Sequence, residues 1–135
     1  MSVAFTKEDS AETASETVLP ERVISPHPNF VTAAGLRALE TQLAEAQAAL
    51  EKATAIDDVN ERRRQEAGPA RDARCFAARL RSAQVIDAPS STDVVAFGST
   101  VTFERADGRV QTYRIVGEDE ADPKAGTISF VAPVA

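Results

Sequence analysis

Leucine and alanine recur at alternating spacings of three and four through Leu36, Leu39, Leu43, Ala46, Leu50 and Ala53. That spacing is the a/d seam of a heptad, an apolar stripe on a helix that needs a second helix to cover it. Glu40, Gln42, Glu45 and Gln47 lie off the stripe. Ala73, Phe76, Leu80 and Ala83 repeat the spacing further along. Two seams of similar length with a polar stretch between them predict an antiparallel helical hairpin over residues 30–87. Thr32 suits the N-cap of the first arm, its hydroxyl accepting an amide of the first turn. If Thr32 opens one arm and Val85 closes the other, the midpoint falls near Asp58, within the polar run Asp57-Asp58-Val59-Asn60-Glu61. Gly68-Pro69 complicates the return arm, because an interior proline costs ~3 kcal/mol or more. Either that arm kinks there or its regular helix begins at Pro69, a position where proline is tolerated.

The period then changes. Val95, Phe97, Ser99, Val101 and Phe103 alternate with other residue types, as a half-buried strand does. Ala106-Asp107-Gly108 supplies turn chemistry, Val110 to Val116 predicts the second strand of a hairpin, and Thr127 to Val131 predicts a third. Ala88-Pro89-Ser90-Ser91 reads as a linker. Residues 1–29 read as a disordered or extended acidic arm, closed by Ser25-Pro26-His27-Pro28-Asn29, where two prolines forbid a helix. The expected class is α+β.

Composition narrows what the hairpin and sheet can do. The 135 residues include 15 basic and 21 acidic side chains, a net charge of −6, with 5% aromatic residues and no Trp. A single thick core is therefore not expected. No apolar run approaches the ~20 residues of a membrane span, and no basic-then-apolar signal pattern opens the chain. One cysteine, Cys75, cannot form an internal disulfide, and one histidine, His27, cannot supply a clustered metal site. The expected setting is the reducing cytoplasm, with no membrane partner. The charge is uneven: Arg62, Arg63, Arg64, Arg71, Arg74, Arg79 and Arg81 face only Glu61, Glu66 and Asp72 between positions 60 and 84. A net −6 thus excludes a uniformly basic nucleic-acid binder but not local contact with RNA.

Phe97-Gly98-Ser99-Thr100-Val101-Thr102 and Tyr113-Arg114-Ile115-Val116-Gly117-Glu118-Asp119-Glu120-Ala121-Asp122 closely resemble the C-terminal domain of the bacterial GreA/GreB transcript cleavage factors. Gly126-Thr127-Ile128-Ser129 with Pro133 and Ala135 fits the same pattern, as do the helix exit Ser82 to Asp87 and the helix entry Thr32 with Gly35-Leu36. The resemblance spans about residues 30–135. It implies a coiled-coil hairpin over 30–87 and, over 88–135, a small FKBP-like β-sheet domain that is C-terminally incomplete. It further implies docking at the secondary channel of bacterial RNA polymerase, with the hairpin inserted. No cofactor of its own is implied, only the Mg2+ of the polymerase active centre. In that family the hairpin tip carries Asp-x-x-Glu, and Asp58-Val59-Asn60-Glu61 has the matching spacing.

The resemblance makes Asp58 the candidate carboxylate facing the shared polymerase magnesium and Glu61 its partner, since a delivered carboxylate can help orient water for phosphodiester hydrolysis. The same spacing near a helix start is also ordinary N-terminal capping. Arg62, Arg63, Arg64 and Arg71 are candidate contacts for polymerase or the nascent RNA 3′ end; their alternative role is a solvated face paired with Glu40, Glu45 and Glu51. Glu118, Asp119, Glu120 and Asp122 are the candidate polymerase-docking acids. Each arm looks about a heptad shorter than in the cleavage factors, roughly 10 Å of rise. Arg62-Arg63-Arg64 stands where that family has small and polar residues. The implied function is regulation of transcript elongation, by an accessory factor rather than an enzyme. Two alternatives stay open: a non-cleaving, Rnk-like channel occluder, and a homo-oligomeric module paired through its sheet edge.

Overall fold

The computed structural model describes residues 19–135. Expectations for residues 1–18 fall outside the described residues. Residues 19–29 form neither helix nor strand, in keeping with Pro26 and Pro28. A two-residue strand β1 (Phe30–Val31) leads into helix α1 (Ala33–Thr54) and helix α2 (Val59–Ser82). Then come β2 (Gln84–Val85), β3 (Thr100–Glu104), β4 (Val110–Val116), a 3-10 turn (Pro123–Ala125) and β5 (Thr127–Ser129). The class is α+β.

Thr32 opens α1 as its residue type requires. Its hydroxyl accepts the Gly35 amide at 3.0 Å and its carbonyl accepts the Leu36 amide at 2.9 Å. Along α1 the buried residues Leu39, Ala46 and Ala53 fall seven apart, with Leu36, Leu43 and Leu50 half-buried beside them. This is the expected heptad stripe. Four residues, 55–58, connect α1 to α2.

Three expectations need correction. Helix α2 does not begin at Pro69; it runs through that residue from Val59 to Ser82. Proline's missing amide there leaves the Gln65 carbonyl without its helical donor. On α2 the expected seam residues Ala73, Phe76 and Leu80 are only half-buried, and the buried residue is Arg79 at 4% exposure. The strand expected from Val95 begins only at Thr100. Gly98 turns left-handed at φ 87° and the Ser99 amide bonds back to the Ala96 carbonyl at 2.9 Å, so a turn interrupts the alternation.

The sheet has the order β3-β4-β5, antiparallel between β3 and β4 and parallel between β4 and β5. Gly108, at φ 84°, closes the β3–β4 turn, and its amide donates to Arg105. Val101 faces Tyr113 and Phe103 faces Gln111, setting one half-buried face, while Thr102 and Thr112 share a hydroxyl bond of 2.8 Å on the other. Ile115, Val116 and Ile128 carry the burial. Strand β5 ends at Ser129, two residues before the expected end, where turns take over. Among the described residues no helix is long and apolar enough to cross a membrane.

The chain divides into two compact units. One contains 19–24 and 41–78; the other contains 25–40 and 79–135, so the first turns of α1 and the last turn of α2 belong with the sheet.

Gly68 sits inside α2 with nothing within 4 Å of where a Cβ would stand. Gly68→Ala should therefore raise stability by about 0.5–1 kcal/mol through helix propensity alone, read as a higher thermal midpoint by circular dichroism at 222 nm.

Candidate functional site

The sequence points to two candidate sites, and each unit holds one. In the helical unit the connection between α1 and α2 carries Asp57 and Asp58, and Glu61 stands in the first turn of α2. Asp58 Oδ2 accepts the Glu61 amide at 2.9 Å and the Asp58 carbonyl accepts the Arg62 amide at 2.8 Å. This is N-cap geometry, and it satisfies donors that a helix start otherwise leaves unpaired. The Glu61 carboxylate turns along the helix instead. Arg64 donates to its Oε2 at 2.7 Å from Nη2, and Gln65 donates to its Oε1 at 2.9 Å. Those two bonds hold the Glu61 carboxyl below the usual carboxylate range, Arg64 contributing most. Arg62 reaches back to the Ile56 carbonyl at 3.0 Å and pairs with Glu66 at 3.9 Å, which fixes the connection against α2. Among the described residues, no group of three or more His, Cys, Asp or Glu side chains could hold a metal ion. Asp58 is exposed, so its carboxylate is open to an ion held from outside.

The arginines that the sequence groups together are dispersed by the helix. Arg62, Arg64, Arg71 and Arg74 pair with Glu66, Glu61, Asp72 and Glu21 respectively. Arg63 is exposed, beside a recess lined also by Leu19, Glu66 and Arg74.

In the sheet unit the candidate docking acids sit on the loop after β4, and internal partners hold them. Thr32 donates its hydroxyl to Glu120, 2.7 Å from Oε2 and 2.9 Å from Oε1. The same oxygen accepts the Gly35 amide, so a carboxylate lies against the start of α1, where the helix dipole favours it. A Cβ at 35 would come within 2.7 Å of Glu120 Oε2, so a larger residue there would push that carboxylate away from Thr32. Ser25 donates to Glu118 Oε1 at 2.9 Å. Asp119 accepts from Arg79 Nε at 2.7 Å, and Glu118 Oε2 stands 3.8 Å from Arg79 Nη2. Asp122 faces the other way and accepts the Lys124 amide at 3.2 Å, capping the 3-10 turn.

Sequence reasoning missed Arg79 and Asn29, which organise this loop. Asn29, 3% exposed, takes a bond from Arg79 Nη2 at 2.8 Å and returns one to the Arg79 carbonyl at 2.7 Å. Its own carbonyl accepts the Gln84 amide at 2.8 Å, which starts the parallel pairing of β1 with β2. Gly117 completes the fit, since a Cβ at that position would lie 2.3 Å from the Phe30 carbonyl oxygen. No local spacing marks either residue, because the bonds that join them link positions 50 apart in the chain.

Removing Arg79 leaves Asp119, Asn29 and Glu118 without their cation. Because Asp119 stays 35% exposed, the loss is below that of a fully buried pair. We expect Arg79→Met to cost about 2–4 kcal/mol in chemical denaturation; a cost below about 0.5 kcal/mol would contradict the role assigned to it. A second test reads Glu61. With its folded pKa depressed, Glu61 contributes stability above its unfolded value and loses it as pH falls through the folded one. The Glu61 side chain should titrate below an ordinary glutamate by NMR, and Arg64→Ala should move it up toward the ordinary value.

Residues 90–135 match the family described as "Transcription elongation factor, GreA/GreB, C-term". The chain is 55% identical over 53 residues to transcription elongation factor GreA of Desulfovibrio desulfuricans, covering 38% of this chain and 33% of that one. Over 93 residues it is 39% identical to GreA of Sphingopyxis alaskensis, covering 64% and 59%. GreB of Neisseria meningitidis is 48% identical over 59 residues, covering 42% and 36%. The matched parts thus span less than two thirds of each of these relatives. Among solved structures, GreA factor homolog 1 (Gfh1) of Thermus thermophilus aligns with TM-score 0.41 at 22% identity, covering 79% of each chain.

Proposed function

We propose, from the match of residues 90–135 to the GreA/GreB C-terminal family, that the chain regulates transcript elongation by entering the secondary channel of bacterial RNA polymerase. One observation carries this reading: a GreA/GreB C-terminal match occurs in the same chain as two consecutive helices, the second of which opens on Asp58-x-x-Glu61. The chain acts as an accessory factor, because two carboxylates at a helix start make no complete metal site. Polymerase supplies the principal ligands of its own Mg2+, which when bound activates water for phosphodiester hydrolysis. Asp58 offers the carboxylate that faces this ion, and Glu61 positions it through the shared first turn. The loop of Glu118, Asp119, Glu120 and Asp122 meets a basic polymerase surface, with Asp119 and Asp122 the accessible members. Arg62, Arg63, Arg64 and Arg71 contact the nascent RNA 3′ end or the channel wall, where arginine suits phosphate.

The tip geometry also favours a second reading, a non-cleaving occluder of the channel. Asp58 spends Oδ2 on the helix cap, and Glu61 is held by Arg64 and Gln65. Where metal ligation draws Oδ2 off the Glu61 amide, cleavage carries the usual cap cost of about 0.5–2 kcal/mol; occlusion leaves the cap intact.

Adding the protein to a backtracked elongation complex and following the RNA 3′ end separates these readings. Cleavage that falls at least tenfold in Asp58→Ala, with polymerase binding retained, supports the cleavage role. Binding without cleavage supports the occluder. No association with polymerase at low salt removes both, and a hydrodynamic mass twice that of the chain then favours a homo-oligomer.

A further inference from the structure

In the helical unit a short extended segment of the chain lies on the arginine-bearing face of α2. Glu21 is gripped by Arg74 through both fork nitrogens: Nε lies 3.1 Å from each carboxylate oxygen, and Nη2 lies 2.5 Å from Oε1. The next residue, Arg22, reaches Asp72 at 3.5 Å, and its guanidinium sits 5.1 Å from the centre of the Phe76 ring. Leu19 and Glu21 line a recess of about 400 Å³ together with Arg63, Glu66, Ala67, Ala70 and Arg74. Three contacts from adjacent residues, to Asp72, Arg74 and Phe76, therefore fix one segment along about one turn of α2. The pairing also shows in the groups themselves. Arg74, with Arg71 nearby, holds the Glu21 carboxyl below the usual range, and Glu21 raises Arg74.

The chemistry of this contact is that of an anion site. A guanidinium fork binds carboxylate and phosphate by the same two parallel bonds. Glu21 thus occupies on Arg74 the position that a phosphate would take, with Arg63 on the rim of the same recess. We propose that residues 19–22 form an intramolecular strap that competes with phosphate groups of single-stranded RNA for the Arg63–Arg74 face of α2. The inference rests on the proposed reading of α2 as an RNA-contacting arm and adds its regulation. The strap is exposed, with Glu21 and Arg74 at 62% and 57%, so it is weak enough to be displaced and is weakened by salt. Occupancy of the face is then set by competition. A diffuse polyanion at low concentration loses to Glu21, whereas RNA held next to α2 by a larger assembly wins through its effective concentration.

The test measures binding of a fluorescent single-stranded RNA oligonucleotide to the full chain by anisotropy, at low salt. Glu21→Gln should tighten binding about two- to fivefold. Glu45→Gln, which removes the same charge from an exposed position of α1, should change it less. In an Arg74→Gln background the effect of Glu21→Gln should vanish. Equal effects of Glu21→Gln and Glu45→Gln, or persistence of the Glu21 effect without Arg74, would overturn the strap and leave RNA contact standing. No binding by either the parent chain or Glu21→Gln would overturn the RNA-contact reading itself, and the strap's role with it.

Discussion

A single guanidinium organises the sheet unit. Arg79 is buried at the last turn of α2, and a buried charge is tolerable only where partners replace its water. Asn29 and Asp119 supply those partners from the segment before α1 and from the loop after β4. Because Asn29 also accepts from Gln84, the same residue ties the strand pair β1–β2 to the guanidinium. Three stretches far apart in the chain are thus held by bonds that converge on one side chain. Its directional bonds add to the packing of Phe30, Phe97 and Phe130, whose ring centroids lie 5.2 to 6.2 Å apart in the same unit.

The acidic loop takes its character from that arrangement. By composition Glu118 to Asp122 is a solvated run of negative charge. In the fold, Glu118 and Glu120 face inward toward Ser25 and Thr32, Asp119 bridges to Arg79, and Asp122 caps a turn. The loop is therefore held in one shape by bonds within the chain itself. Glycine at 117 is required by the close approach of the Phe30 carbonyl, and glycine at 35 lets the Glu120 carboxylate lie against Thr32. Both belong to the stretches that resemble the GreA/GreB pattern, and the structure supplies a steric reason for them.

Legibility in the sequence followed the range of the interaction concerned. The α1 seam, the Thr32 cap, the connection near Asp58 and strand β4 were all readable, because spacing and capping act within a few residues. Strand β3 was read too long because alternation continued across Gly98, whose left-handed backbone outweighs the pattern on either side. Pro69 reads in the sequence as either a kink or the first residue of the helix, yet the helix begins ten residues earlier, at Val59, and runs through it. One lost hydrogen bond is a local cost, and the bonds of the surrounding turns outweigh it. For the candidate sites, the sequence located Asp58 and Glu61 but could not choose between a metal-facing carboxylate and a cap, since both use the same spacing.

What the chain alone determined is the set of local elements: a heptad-bearing helix entered at Thr32, a polar connection, an arginine-rich return helix, and a hairpin turned at Gly108. These depend on residues close in sequence, so their physics is written there. Only the tertiary structure decided which arginine is buried, which carboxylates are committed, and that Glu21 lies on Arg74 across 53 positions. Those outcomes depend on which charges lose water and which partners replace it. Only the packed chain brings such partners together.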